Sequence, residues 1–326
     1  MPESELPAGR VPAILRAARL GVVALAMTVP AIGTVLVAPV AAIAAEASTV
    51  SDRERARVVS IGTAVTEILY ALDLQNRIIA VDTTSMHPPE ALEQKPNVGY
   101  MRALSAEGVL ALDPSMVLAE EGAGPPEVIG LLEAASVPFI TVPSDPSPDG
   151  VADKIRMVAR VMGREAAGDR LAAETATYFD ELAAAREGLD DRLRVMFILS
   201  LQSGRVLASG AGTAAAGILA LAGADNAVAG FEGYKPLSDE AILAAAPDVI
   251  LVMNRGNHVL DADQVFGLPA LSNTPAARTR ALIRMDGAYL LGFGPRTPAA
   301  AVDLARALYP EHAWPETANG NRGNTD

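Results

Sequence analysis

Leu104-Ser-Ala-Glu-Gly-Val-Leu-Ala-Leu-Asp-Pro-Ser-Met-Val-Leu-Ala119 recurs 133 residues later, without a gap, as Leu237-Ser-Asp-Glu-Ala-Ile-Leu-Ala-Ala-Ala-Pro-Asp-Val-Ile-Leu-Val252. Seven of the sixteen positions are identical, and a Gly-Tyr pair precedes each copy at nearly the same distance, Gly99-Tyr100 and Gly233-Tyr234. In each copy a serine is placed to cap a short helix, and a proline ends that helix before a buried strand. The repeat therefore predicts two structurally similar halves.

The alternation of strand and helix extends outward from both copies. Predicted strands cover residues 57–62, 78–81, 116–119, 138–142, 194–199 and 249–252, with a last strand near 288–291. Helical spacing of apolar residues marks 63–74, 128–135, 214–222 and 298–308. This alternation is typical of a parallel sheet flanked by helices.

A different pattern separates the two halves. Residues 149–187 contain no proline, and apolar residues recur at three- and four-residue steps from Val151 to Met162. This spacing predicts one long helix, with Gly163 or Gly168 as a possible break. The predicted fold is α/β: two Rossmann-like lobes with central parallel sheets, joined by a single long backbone helix, with a ligand cleft between the lobes. The predicted segments are an N-terminal lobe at 57–148, a linking helix at 149–188, a C-terminal lobe at 193–312 and a disordered tail at 315–326.

Length, charge and cysteine content narrow the function. A chain of 326 residues favours two lobes, and its net charge of -13 argues against nucleic acid or an anionic membrane as partner. The absence of cysteine excludes disulfides, thiolate metal sites and cysteine nucleophiles, and three histidines argue against a multi-histidine zinc site. We expect a soluble monomer that docks on a basic partner.

The N-terminus has the pattern of an export signal. Three arginines in the first nineteen residues precede an uncharged stretch at 20–45, which ends in small residues at A-x-A spacing. We expect a signal peptide at 1–47 and a periplasmic protein. The stretch is also long enough to span a bilayer, so an uncleaved anchor is the alternative.

The repeated glutamates, Glu107 and Glu240, have two possible roles. Each falls in the first turn of a predicted helix, where a carboxylate favours the helix dipole. Each glutamate also places one carboxylate at an equivalent surface position of its half. Two such carboxylates could bind two arginines of a symmetric partner.

These features together resemble the periplasmic binding proteins of ABC importers for heme, siderophores and cobalamin, over residues 57–310. The resemblance implies that a long helix joins two rigid lobes, that the ligand lies between them, and that Glu107 and Glu240 dock on permease arginines. The stretch Val98-Gly-Tyr-Met-Arg-Ala-Leu-Ser-Ala-Glu107 is similar to the heme-binding branch, which implies that Tyr100 is the axial ligand of ferric iron. The same branch is suggested by Gly233-Tyr-Lys-Pro-Leu-Ser238, Val252-Met-Asn-Arg-Gly256 and Gly292-Phe-Gly-Pro-Arg-Thr-Pro298.

The residue chemistry fits heme. A tyrosinate oxygen is a hard anionic ligand for ferric iron, and Arg102 is placed to stabilise it. Arg255 follows the strand at 249–252, at the end where α/β ligands bind, and arginine pairs well with a propionate. Arg296 is a second, weaker candidate for that role or a structural residue, and Tyr234 either lines the cleft or simply packs.

Several alternatives stay open from the sequence. His258 is a possible axial ligand, and His87 is read as a loop residue. The same fold could carry a ferric siderophore or cobalamin, or serve as a membrane-anchored sensor domain. If the ligand is heme, an outer-membrane heme receptor is an indirect partner. An enzyme is disfavoured, because no G-x-S-x-G, H-E-x-x-H or P-loop motif occurs, and Ser209-Gly-Ala-Gly-Thr213 lacks the phosphate-loop lysine.

Overall fold

The computed structural model describes residues 56–316 except 190, 203 and 255–259. These residues all belong to one compact unit. The predicted signal segment at 1–47, Arg255, His258 and the tail beyond residue 316 lie outside the described residues. Within the part of the chain that is described, no helix combines the length and apolar character needed to cross a membrane.

The N-terminal lobe is built on a four-stranded parallel sheet in the order β2-β1-β3-β4. Its strands are β1 (Val58–Ile61), β2 (Ile78–Val81), β3 (Met116–Glu120) and β4 (Phe139–Val142). Its helices are α1 (Thr63–Ala71), α2 (Glu90–Gln94), α3 (Ala106–Leu110) and α4 (Pro126–Ala134), with a 3-10 turn at Gln75–Arg77. All four predicted strands and the crossover helices at 63–74 and 128–135 are confirmed.

The linking segment is two helices, so the prediction of a single long helix is wrong. They are α5 (Pro148–Val161) and α6 (Glu165–Arg186). The break is at Gly163, whose φ of 68° is left-handed. The amide of Arg164 donates to the carbonyl of Ala159, and that of Gly163 donates to Arg160. These two bonds form a Schellman C-cap, which ends α5 and lets α6 fold back against it.

The C-terminal lobe contains a mixed sheet in the order β10-β9-β5-β6-β8, with β7 paired to β5. Its strands are β5 (Arg194–Gln202), β6 (Arg205–Ser209), β7 (Asp225–Asn226), β8 (Tyr234–Pro236), β9 (Val249–Asn254) and β10 (Leu282–Asp286). Its helices are α7 (Ala214–Leu221), α8 (Asp239–Ala245), α9 (Ala262–Phe266), α10 (Pro269–Ser272), α11 (Pro275–Thr279), α12 (Gly287–Leu291) and α13 (Thr297–Leu308). β6 pairs antiparallel with both β5 and β8, so this sheet is not wholly parallel as predicted.

Two further boundaries differ from expectation. The last strand is Leu282–Asp286, and the apolar stretch predicted as a strand is the short helix α12. Asp286 caps that helix by accepting a hydrogen bond from the Tyr289 amide at 2.8 Å. At the C-terminus, the carbonyl of Pro315 accepts a hydrogen bond from the Arg306 side chain. Residue 315, the first residue of the predicted tail, is therefore bound to α13.

The two copies of the repeat adopt the same local structure. Gly99 and Gly233 both have positive φ, at 93° and 79°. Ser105 and Ser238 cap α3 and α8 through bonds of 3.2 Å to backbone amides. Asp113 and Ala246, each directly before the proline, are both left-handed. The repeat is therefore structural as well as sequential.

The main apolar core is shared by the two lobes. One cluster of buried side chains includes Val58 of the first sheet, Ile155 of α5, Leu182 of α6 and Phe197 of the second sheet. Two smaller clusters lie on the far faces of the two sheets. The lobes are consequently held by a continuous core through the linking helices.

Candidate functional site

The carboxyl end of the N-terminal sheet is organised by Asp82, which is fully buried directly after β2. One oxygen accepts from the Gly62 amide at 2.8 Å and from the Ser85 hydroxyl at 2.8 Å. The other accepts from the amide and hydroxyl of Thr84 at 3.0 and 2.7 Å. A carboxylate with this many donors holds the loop after β2 in one conformation.

Tyr100 lies on a turn supported by that loop. The Thr83 amide donates to the Gly99 carbonyl at 2.9 Å, and the Ala103 amide donates to the Tyr100 carbonyl at 2.8 Å. Met101 is buried in the N-terminal lobe, while Tyr100 is 49% exposed. The tyrosine ring is therefore held out from a well-anchored backbone, as a residue that meets a ligand must be.

Tyr234 begins β8 in the other lobe and is half-buried. Its ring packs edge-on against Phe197, with centroids 6.5 Å apart and an interplanar angle of 64°. Burial raises the pKa of Tyr234, while hydrogen bonds from the Ala215 amide and the Thr213 side chain lower it. The phenol therefore lies near the N-terminus of α7. The Gly-rich segment 209–213 is the strand-to-helix connection that the sequence predicted.

Arg102 of the N-terminal lobe acts on a residue of the C-terminal lobe through its charge. Its side chain is exposed, and its charge acts to lower the pKa of Tyr234. A guanidinium from the first lobe therefore lies within electrostatic range of a phenol from the second. Of the predicted residues, Arg102 and Tyr234 are related through this charge effect, whereas Tyr100 is exposed on the N-terminal lobe.

Arg296 contacts protein side chains, which differs from the exposed arginine that a contact with heme would require. Its guanidinium pairs with the buried Glu67 at 2.5 Å and lies over the ring of Tyr289, 5.0 Å from the centroid. The hydroxyl of Tyr289 donates to Asp303 at 2.9 Å. This arginine is already occupied by protein groups.

His87 lies in the loop after β2, as predicted, and is close to charges of both lobes. Burial, together with the nearby Arg296, lowers its pKa to about 4, against the opposing effect of Glu90 and Asp286. The imidazole is therefore neutral at pH 7.

The two repeated glutamates are exposed on separate lobes. Hydrogen bonds from its own backbone amide and from Ser238 lower the pKa of Glu240. Both carboxylates lie in the first turns of α3 and α8 and remain accessible to solvent. The capping and docking interpretations are therefore compatible with each other.

A cluster of buried charges escaped the sequence analysis. Glu67 on α1 and Lys154 on α5 are 7% and 2% exposed. Lys154 stands on the apolar stripe of α5 between Val151 and Ile155, which is the signal that could have revealed it. A charged residue at such a position is almost always compensated by another charge.

Comparison with known proteins identifies the type of molecule. A family model described as periplasmic binding protein matches residues 58–289. The apo structure of the periplasmic heme-binding protein RhuT from Roseiflexus sp. RS-1 is similar, with 39% identity and a TM-score of 0.75. The match covers 78% of this chain and 98% of that one.

Two curated relatives are more distant. The Bacillus subtilis protein YvrC, described as an uncharacterized ABC transporter substrate-binding lipoprotein, is 26% identical, over 79% of this chain and 82% of that protein. The vitamin B12-binding protein of Pectobacterium atrosepticum is also 26% identical, over 77% of this chain and 88% of that protein. The relatives thus differ in the ligands that their names state.

Proposed function

This chain belongs to the periplasmic binding protein family, and we propose that the ligand it captures for an ABC importer is heme. It is a solute-binding protein and not an enzyme, and proteins of this type deliver their ligand to an ABC permease. The observation that carries the choice of ligand is the exposed Tyr100, held on an anchored turn two residues before Arg102, whose charge acts on Tyr234 of the second lobe.

Tyr100 is the proposed axial ligand of the iron. A phenolate oxygen suits ferric iron, and the metal itself stabilises the deprotonated form. Met86 is a second large apolar side chain on the same N-terminal edge, 43% exposed. Exposed aromatic and thioether side chains are suited to an apolar ligand such as a porphyrin.

The heme propionates require cationic partners. Arg102 lies at the cleft and is the arginine nearest in sequence to Tyr100. Arg255 is proposed as the partner from the second lobe, because it directly follows the last residue of β9, Asn254, in the sequence. Arginine suits this role because its planar guanidinium pairs with a carboxylate through two hydrogen bonds.

Delivery to the permease is assigned to Glu107 and Glu240. Each is exposed at the start of a helix in equivalent positions of the repeat, so the two carboxylates suit two equivalent arginines of a permease dimer. We propose that the protein is a periplasmic monomer exported by the signal at 1–47. Heme would reach it indirectly through an outer-membrane receptor.

Cobalamin is the second candidate ligand, since the name of a relative at 26% identity states vitamin B12 binding. A ferric siderophore and a membrane-anchored sensor are weaker alternatives. An intact N-terminus in the mature protein would favour the sensor.

An absorption titration with ferric heme tests the proposal. The parent protein is expected to give a Soret band that saturates, and Tyr100→Phe is expected to lose the tyrosinate charge-transfer signature while keeping the ring. Arg255→Ala is expected to weaken binding by roughly tenfold, the equivalent of about 1.4 kcal/mol for a charge-assisted pair. Tyr178→Phe, on α6 and away from the cleft, is the matched control.

Cobalamin is titrated in parallel by calorimetry. Saturable hemin binding with no cobalamin binding supports the proposal. Cobalamin binding without hemin binding would overturn it. Unchanged spectra in Tyr100→Phe would overturn the axial assignment alone.

A further inference from the structure

Four charged side chains, two buried and two partly buried, lie where the two lobes join, and we call them the junction cluster: Glu67, Glu120, Lys154 and Arg296. They come from four different elements, namely α1, the end of β3, α5 and the turn before α13. The first three belong to the N-terminal side, whereas Arg296 stands 229 residues from Glu67 in sequence.

The Glu67–Arg296 ion pair crosses from one lobe to the other. Its two side chains are 6% and 18% exposed, and they are 2.5 Å apart. The backbone of the second lobe approaches closely here as well. A side-chain carbon on Gly294 would lie 3.2 Å from a Glu67 oxygen and 3.2 Å from the Cα atom of Ala64.

Glu120 and Lys154 extend the pair into the first lobe. Glu120 accepts hydrogen bonds from the amides of Ala64 and Val65 at 2.6 and 3.3 Å, at the N-terminus of α1. Lys154 is 2% exposed, and its ammonium makes no hydrogen bond to the described residues. Its charge acts on both carboxyl groups, lowering the pKa values of Glu67 and Glu120 that burial raises.

Such a cluster resists displacement of either lobe. A buried charge without its partner is strongly unfavourable, because neither water nor another ion replaces the lost interaction. Two acids and two bases balance only while all four elements keep their spacing. Separating the lobes at this point would break the ion pair and leave both Arg296 and Glu67 without a partner of opposite charge.

The junction cluster is also connected to the candidate site. The hydroxyl of Thr63, the first residue of α1, donates to the carbonyl of Thr84. The adjacent Thr83 holds the Gly99 carbonyl through its amide at 2.9 Å. Two hydrogen-bonded steps therefore lead from the helix that carries Glu67 to the turn that carries Tyr100.

We propose that the junction cluster sets the spacing of the lobes in the ligand-free protein, and that Arg296 is a positioning residue that acts through Glu67. Tyr100 and Tyr234 are then held at a fixed separation before any ligand arrives. The spacing does not depend on which ligand binds. Only the effect of the cluster on hemin affinity rests on the proposed function.

The test measures the distance between the lobes without ligand. Because the chain has no cysteine, Glu133→Cys on α4 and Ala244→Cys on α8 place one spin label on each lobe without competing thiols. Pulsed electron spin resonance then gives the interlobe distance distribution. It is measured in the parent, Glu67→Gln, Arg296→Met, Lys154→Met and the conservative Arg296→Lys.

Glu67→Gln and Arg296→Met are expected to broaden the distribution or shift it by more than about 2 Å, the scale that separates domain rearrangement from rigid behaviour. Arg296→Lys keeps the charge and is expected to lie closer to the parent. The control is Asp263→Asn with Arg280→Met, an exposed ion pair 2.6 Å apart within the second lobe, which is expected to change nothing.

Circular dichroism confirms that each variant is folded. If Glu67→Gln or Arg296→Met does not fold, Lys154→Met is expected to broaden or shift the same distance distribution. Unchanged distances in all folded junction variants would overturn the proposal. In hemin titrations, Arg296→Met is expected to weaken binding by roughly 3- to 30-fold, as for mutations that act at a distance. Altered distances without hemin binding in the parent would refute the proposed ligand and leave the junction cluster supported.

Discussion

The effect of Gly168→Ala on the free energy of unfolding distinguishes one continuous linking helix from two helices packed against each other. In the structure a Cβ atom at Gly168 would lie 2.2 Å from the Cβ of Ala159, against 3.4–4 Å for an ordinary contact. Ala159 is fully buried, so α5 and α6 have to part by more than about 1 Å. Overpacking of this kind costs about 1–3 kcal/mol, and the gain in helix propensity offsets about 1 kcal/mol of it.

The expected result for Gly168→Ala is therefore a loss of up to about 2 kcal/mol in the free energy of unfolding. A continuous helix gives the opposite sign. Residues 159 and 168 would then lie about 13.5 Å apart along the axis, and the alanine would stabilise the protein by about 1 kcal/mol. Urea unfolding followed by circular dichroism measures the difference directly.

A double variant provides the control. Ala159→Gly is expected to cost about 1–2 kcal/mol alone, through lower helix propensity and a lost buried methyl group. Combined with Gly168→Ala it exchanges the two residues and relieves the close contact, so the double variant is expected to be near the parent. An additive loss in the double variant, or a stabilised Gly168→Ala, would refute this packing.

Two other predictions concern titration and docking. The pKa of His87 near 4 means that its imidazole stays neutral in the folded protein below the ordinary value of 6.5. Because the unfolded protein binds a proton at this histidine before the folded protein does, the free energy of unfolding falls as the pH drops from 6.5 towards 4. The expected decrease is about 1–2 kcal/mol, a value that allows for solvent screening of a half-exposed group. NMR titration of the three histidines, with His87→Gln as the assignment, tests this, and a midpoint near 6.5 would contradict it. For docking, Glu107→Gln and Glu240→Gln are each expected to reduce stimulation of the permease ATPase in proteoliposomes with hemin affinity unchanged. Glu133→Gln is the control, and full stimulation by the Glu107→Gln/Glu240→Gln pair would rule out the docking role.

Local sequence signals predicted the repeat correctly. Ser105 and Ser238 cap their helices, and the residues before Pro114 and Pro247 are left-handed in both copies. These features depend on neighbours within a few positions, so a sequence carries them almost completely. The same holds for the buried strands, whose apolar runs require no knowledge of what packs against them.

The sequence-based predictions of secondary structure were wrong where contacts between distant residues determine the conformation. The apolar residues after Asp286 suit a strand as well as a helix, and the cap at Asp286 together with packing selects the helix α12. The break at Gly163 was visible only as a possible position. It becomes a turn because Gly168 allows α6 to lie directly against Ala159.

The candidate site divides in the same way. Tyr100 and Arg102 were identified from a motif within ten residues of chain. The sequence also contained Arg296, but its partner Glu67 lies 229 residues away. No local pattern indicates that pairing.

The sequence by itself determined two similar α/β halves, each with a Gly-Tyr pair and an exposed glutamate at equivalent positions. Only the tertiary structure decided that α5 and α6 fold against each other, that the charge of Arg102 acts on Tyr234, and that Glu67 and Arg296 pair across the lobes. The physical reason is that capping and strand formation are local energies, whereas the pairing of buried charges depends on which distant elements share the same interior.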